Sequence, residues 1–143
     1  MNEIISHSDA ETKKIAGDFA ATLRPGDIVT LTGDLGAGKT TFTKGLAKGL
    51  GVQKEIVSPT FTIMNVLPAD KNGITTLVHL DTYRLNDPAE LEPIGITDYL
   101  AAADTVCVIE WPELAKKLLN KKIISITITH GDTPNERKIT IQE

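Results

Sequence analysis

Residues 33–40 read Gly-Asp-Leu-Gly-Ala-Gly-Lys-Thr, a complete G-x-x-x-x-G-K-[ST] pattern. Such a loop has to leave a buried strand, curl round an anion and feed its backbone N–H groups into a helix start. Both flanks are present. The apolar run Ile28-Val29-Thr30-Leu31-Thr32 precedes the loop, and a helix-forming stretch from Lys39 to Leu50 follows it. Gly33, Gly36 and Gly38 supply backbone geometries that other residues avoid. Lys39 is placed to reach β- and γ-phosphates, and the Thr40 hydroxyl to hold Mg²⁺. With strand, loop and helix all in place, the stretch reads as a nucleoside-triphosphate site rather than a chance glycine turn.

The chain has 143 residues, enough for one domain with one core, so residues 1–143 are read as a single unit. Its 41% hydrophobic and 24% charged residues are those of a globular protein. Apolar stretches of five to seven residues are too short to cross a bilayer, and the first residues have neither a basic nor an apolar leader region. The single cysteine, Cys107, lies in the apolar run Val106–Ile109 and reads as a buried, inert thiol, in keeping with a reducing cytoplasm. A net charge of −4 argues against a broad nucleic-acid face, so any RNA would be reached through a protein partner.

Ser8-Asp9-Ala10-Glu11 is a capping box that opens a helix with apolar positions at Ile15, Phe19 and Leu23. Arg24-Pro25-Gly26-Asp27 turns it into the first strand. After Gly51, two β-rich runs, 61–67 and 74–80, are joined by a polar turn over 68–73 and read as an antiparallel hairpin. Residues 86–103 read as short helical pieces, 105–109 as a strand buried on both faces, and Trp111-Pro112-Glu113 as the start of a helix reaching Leu119. Two alternating strands, 123–129 and 138–141, close the chain. The expectation is an α/β fold with a mixed parallel and antiparallel central sheet flanked by helices.

Two apolar strands end in an acid, Asp81 and Glu110, and the ends of such strands are where α/β sheets place ligands. Phosphoryl chemistry needs a carboxylate for Mg²⁺ and a group that positions the nucleophile, and these two acids are the candidates. Thr60, after Pro59, occupies the place of a γ-phosphate-sensing switch threonine or of a plain turn. Arg84 reads either as a phosphate contact or as a salt bridge at a strand end. Trp111 reads as packing, as a cover for the nucleotide or as a partner anchor, and His79 as structural. For the base, the start of the first helix and the loop after Thr129 are the places to look.

Together, the loop at 33–42, Ser-Pro-Thr (58–60), His-Leu-Asp-Thr-Tyr-Arg-Leu (79–85), Gly-Ile-Thr-Asp-Tyr (95–99) and Ile-Glu-Trp-Pro-Glu (109–113) resemble the motifs of the TsaE (YjeE) family. The resemblance implies a P-loop ATPase fold and a role in making N6-threonylcarbamoyladenosine in tRNAs that read codons beginning with A. It implies a TsaB–TsaD heterodimer as partner, with TsaD the transferase and tRNA met only through the complex. By the same resemblance, ATP phosphates lie on Gly36, Ala37, Gly38, Lys39, Thr40 and Thr41, with Trp111 beside the site, and the loop pattern adds Gly33, Asp34 and Leu35 to the nucleotide-binding residues. Mg²⁺ lies near Thr40 with Asp81 and Glu110, and Lys39, Asp81, Glu110 and Thr60 carry the chemistry. A small-molecule kinase would need an acceptor pocket and an arginine-bearing lid, neither of which is legible. A regulatory GTPase would need Asn/Thr-Lys-x-Asp after a strand, whereas Asn120-Lys121-Lys122-Ile123 lacks the acid and precedes its strand.

Overall fold

The computed structural model describes residues 2–34, 36–56, 64–82, 87–115, 119 and 122–143. In chain order the elements are β1 (Asn2–Ser6), α1 (Asp9–Ala20), β2 (Ile28–Thr32), α2 (Lys39–Gly49), β3 (Met64–Lys71), β4 (Ile74–Asp81), α3 (Ile96–Leu100), β5 (Thr105–Glu110), β6 (Ile123–His130) and β7 (Arg137–Gln142). Short 3₁₀ turns at Pro88–Leu91 and Pro112–Leu114 flank α3 and β5. The strands form one sheet in the order β1-β7-β6-β2-β5-β4-β3. Its four central strands, β6, β2, β5 and β4, run parallel, and antiparallel strands complete both sides.

Burial explains this order. All six residues of β5 are buried, as are the first four of β2, so these strands occupy the middle of the sheet. Val29, Leu31, Leu77, Val106, Val108, Ile126 and Ile128 pack on one face with Ala16 and Phe19 of α1 and Phe42 and Leu46 of α2. Ile28, Val78, Leu80, Cys107 and Ile109 pack on the other with Ile96 and Leu100 of α3. Each fully buried leucine or isoleucine contributes roughly 1.5–3 kcal/mol relative to an exposed one. Helices α1 and α2 meet so closely that a Cβ on Gly45 would lie 2.4 Å from the Lys13 carbonyl oxygen. Phe19 and Phe42 seal the crossing with ring centroids 6.0 Å apart.

The Ser8 half of the capping box forms: its hydroxyl accepts the Glu11 N–H at 3.0 Å and α1 begins at Asp9, while the Glu11 carboxylate pairs with His7. Two expectations need correction. The 68–73 turn is only two residues long, because β3 continues through Pro68 to Lys71. Asn72 and Gly73, at φ 53° and 82°, make the reversal, the left-handed pair that a two-residue hairpin prefers. Pro68 is tolerated because β3 is an edge strand, where one missing N–H breaks little. The chain also opens with a strand, β1, not a helix; its mostly exposed residues give no apolar alternation, and it forms by pairing with β7. The helix read from Trp111 toward Leu119 opens with a 3₁₀ turn at Pro112–Leu114, and residues 116–118 lie outside the described residues.

Candidate functional site

Strand β2 delivers the chain into the loop at 33–38, and α2 takes it up at Lys39. Gly33 lies so close to β6 that a Cβ there would meet the Ile128 carbonyl oxygen at 2.3 Å, so only glycine fits. Gly38, the residue preceding α2, holds φ 103°, a conformation other residues rarely adopt. Among the described residues no side chain caps α2, and no acid occupies its first turn. Its N–H groups and the positive end of its dipole are thus offered to an anion.

Lys39 is only 6% exposed. Its Nζ donates to the Gly33 carbonyl and, at 3.1 Å, to the Asp34 carbonyl. It also lies 4.0 Å from the centre of the Trp111 ring. Burial draws the Lys39 pKa below its ordinary value, opposed by the negative charges of Glu110, Asp81, Asp34 and Glu113. Trp111 reaches this position through a left-handed backbone, φ 58°. That turn is pinned by its N–H to the Leu31 carbonyl at 3.3 Å and by the Thr82 hydroxyl, which donates to the Trp111 carbonyl.

Asp81 and Glu110 end neighbouring parallel strands and stand opposite each other in register. Glu110 is 2% exposed, and His79 Nε2 donates to its Oε2. A cavity of about 340 Å³ gathers Gly36, Gly38, Lys39, Thr40, Thr41, Asp81, Glu110 and Trp111, together with Asp9 and Arg137. Arg137 donates to the Pro134 and Glu136 carbonyls at 2.9 Å and to the Gly36 carbonyl at 3.5 Å, tying the β6–β7 connection to the phosphate loop. A larger groove between α1 and α2, edged by lysines, holds none of the expected site residues.

The donors are suited to Mg²⁺ and nucleotide. Among the described residues no three or more His, Cys, Asp or Glu side chains gather to hold a metal unaided. Thr40, Asp81 and Glu110, whose side chains carry hard oxygens, instead line one cavity. Mg²⁺ characteristically uses one or two carboxylates with phosphate oxygens and water.

The model of the family "Threonylcarbamoyl adenosine biosynthesis protein TsaE" matches residues 6–139. The chain belongs to the TsaE family. It is 46% identical over 131 residues to the Bacillus subtilis tRNA threonylcarbamoyladenosine biosynthesis protein TsaE, covering 91% of this chain and 78% of that one. The Rickettsia bellii protein of the same name is 40% identical over 128 residues, covering 89% and 85%. Among solved structures, the crystal structure of Bacillus subtilis YdiB superposes with a TM-score of 0.73 at 38% identity, covering 98% of this chain and 83% of that one. The expected P-loop α/β fold is the one observed.

Within this TsaE-family fold, most expected site residues line one cavity, with informative exceptions. Gly33 and Asp34 are present through the carbonyls that hold Lys39, and the Ala37 side chain is buried in the core. Leu35, Thr60 and Arg84 lie outside the described residues. Asp9 at the start of α1 and Arg137 just past the loop after Thr129 line the cavity, at the two places considered for the base. Arg137 and the pairing of His79 with Glu110 were missed. Sequence offered no signal for either, since strand order alone brings β7 to the loop and His79 beside Glu110.

Proposed function

We propose that this chain is a Mg²⁺-dependent ATPase required for N6-threonylcarbamoyladenosine formation on tRNAs reading codons that begin with A. It acts on a TsaB–TsaD heterodimer whose TsaD subunit is the transferase, and meets tRNA through that complex. The observation that carries the ATPase reading is the convergence of Lys39, Thr40, Asp81 and Glu110 on one cavity at the open start of α2. The pathway is supported by family membership and by the names its relatives bear.

Lys39 exchanges the Gly33 and Asp34 carbonyls for β- and γ-phosphate oxygens, while the loop N–H groups cradle the phosphates. Thr40, Asp81 and Glu110, which line the cavity, would hold the metal and orient the attacking water. Bound Mg²⁺ supplies neutralisation of the charge that develops on the phosphoryl oxygens. Trp111 covers the lysine and limits access of bulk water to it. By the likeness of Ser58-Pro59-Thr60 to the family's motif, Thr60 would sense the γ-phosphate; it lies outside the described residues.

The test is ATP turnover with and without the heterodimer and tRNA. Hydrolysis should be slow alone and rise when the partner is added. Transfer of phosphate to a small acceptor would indicate a kinase, and preference for GTP a regulatory GTPase. Asp81→Asn and Glu110→Gln should each lower turnover by about 10²-fold or more, as loss of a water-orienting or metal-binding acid does. A normal rate in either removes that acid from the site.

A further inference from the structure

We infer that His79 is a positioning residue of this site: its Nε2–H fixes one oxygen of Glu110, so that the carboxylate presents Oε1 to the cavity in a single orientation. This rests on the ATPase reading above. On β4 the residues facing α1 and α2 run Leu77, His79, Asp81, and Leu77 is part of the apolar core. At 1% exposure an imidazole in that row is an unfavourable choice unless its hydrogen bond is used. Glu110 stands opposite Asp81 on the parallel neighbour β5, so the ring of His79, two residues back along β4, reaches it diagonally.

The proton on that ring is assigned by its partners. A carboxylate only accepts, so Nε2 carries the hydrogen. Nδ1 has no hydrogen-bond partner among the described residues. Among the described residues the ring is thus held by the Nε2–H bond to Glu110 alone. The consequence concerns Glu110. Its charge is the strongest of those acting on Lys39, so a Glu110 released from His79 is drawn toward the ammonium. That motion would occupy the lysine and withdraw the acid from water and metal. Partners of this kind typically change metal-site function by about 10–100-fold when removed.

The experiment compares His79→Gln, His79→Asn and His79→Leu in the full chain. Gln places an amide N–H where Nε2 stood, whereas Asn is polar but too short to reach Glu110, and Leu matches Leu77. Partner-stimulated kcat, KM for ATP, equilibrium nucleotide affinity and thermal melting are measured for each. Expected is a loss of kcat of about 10–100-fold in the Asn and Leu variants, with KM and affinity nearly unchanged, and recovery to within about threefold in Gln. Nitrogen-15 NMR of the unsubstituted protein should show the Nε2–H tautomer at His79, shifted by Glu110→Gln. A wild-type kcat in folded Asn or Leu variants overturns the inference. So does a Gln variant as impaired as Leu, or an Nδ1–H tautomer. Absence of turnover in the unsubstituted protein with its partner instead sinks the ATPase reading and, with it, the positioning role.

Discussion

Gly45→Ala should destabilise the protein, whereas Gly17→Ala on the facing helix should stabilise it. A Cβ on Gly45 would lie 2.4, 2.6 and 2.9 Å from the O, Cα and C atoms of Lys13, all backbone. No rotamer change relieves such contacts, so α1 must retreat by about 1 Å to restore ordinary spacing. Overpacking of this kind costs roughly 1–3 kcal/mol, against a helix-propensity gain of about 1 kcal/mol for alanine over glycine. Three backbone contacts under 3.0 Å put Gly45 in the upper part of that range, about 2–3 kcal/mol, so the net is a loss of about 1–2 kcal/mol, or a fall in Tm of roughly 3–8 °C for a chain of this size. At Gly17 the added Cβ meets only the Gly45 carbonyl oxygen, at 3.7 Å, an ordinary contact. Propensity then acts alone and Tm rises by a few degrees, corresponding to about 0.5–1 kcal/mol. Because α2 also carries Lys39 and Thr40, Gly45→Ala should weaken nucleotide binding as well. Thermal and urea unfolding, with a nucleotide titration of each variant, decides the matter. If the two substitutions shift Tm in the same direction, the close helix crossing is wrong.

Trp111 is the single tryptophan, so nucleotide binding that draws Lys39 off its ring should change the intrinsic fluorescence, and Lys39→Met should abolish the change. In the fold the Lys39 pKa lies below its unfolded value of 10.5. Between the two values the unfolded chain holds the proton and the folded chain does not, so stability rises with pH across that window. Urea midpoints measured up to pH 10.5 should show that rise, and Lys39→Met should flatten it. Cys107 is buried, so an aromatic disulfide reagent should label it only as fast as the protein opens. Prompt labelling of the native protein would contradict its position in β5.

The local features of this fold were legible, and the non-local ones were not. The strand-to-helix passage at Gly33 and 36–40, the burial of β5 and the Ser8 cap are set by neighbouring residues, and each is present in the described residues. Pro68 misled because a proline reads as a break, whereas an edge strand accommodates it and leaves Asn72-Gly73 to make the turn. The short β1 exists through its pairing with β7, a contact between the two ends of the chain. For the site, Asp81 and Glu110 were visible as acids that end apolar strands. Their direct juxtaposition, the hydrogen bond from His79 and the approach of Arg137 required the strand order. Trp111 was open between core and cover, and its left-handed backbone places it over Lys39.

The most direct test of the central claim is multiple-turnover formation of N6-threonylcarbamoyladenosine on tRNA, reconstituted with the TsaB–TsaD heterodimer, ATP and either this chain or its Lys39→Ala variant. Sustained product formation is expected with the unsubstituted chain. With Lys39→Ala, formation should stop at the level reached without the chain, because nucleotide no longer engages the loop. Full multiple-turnover formation supported by Lys39→Ala would contradict that claim.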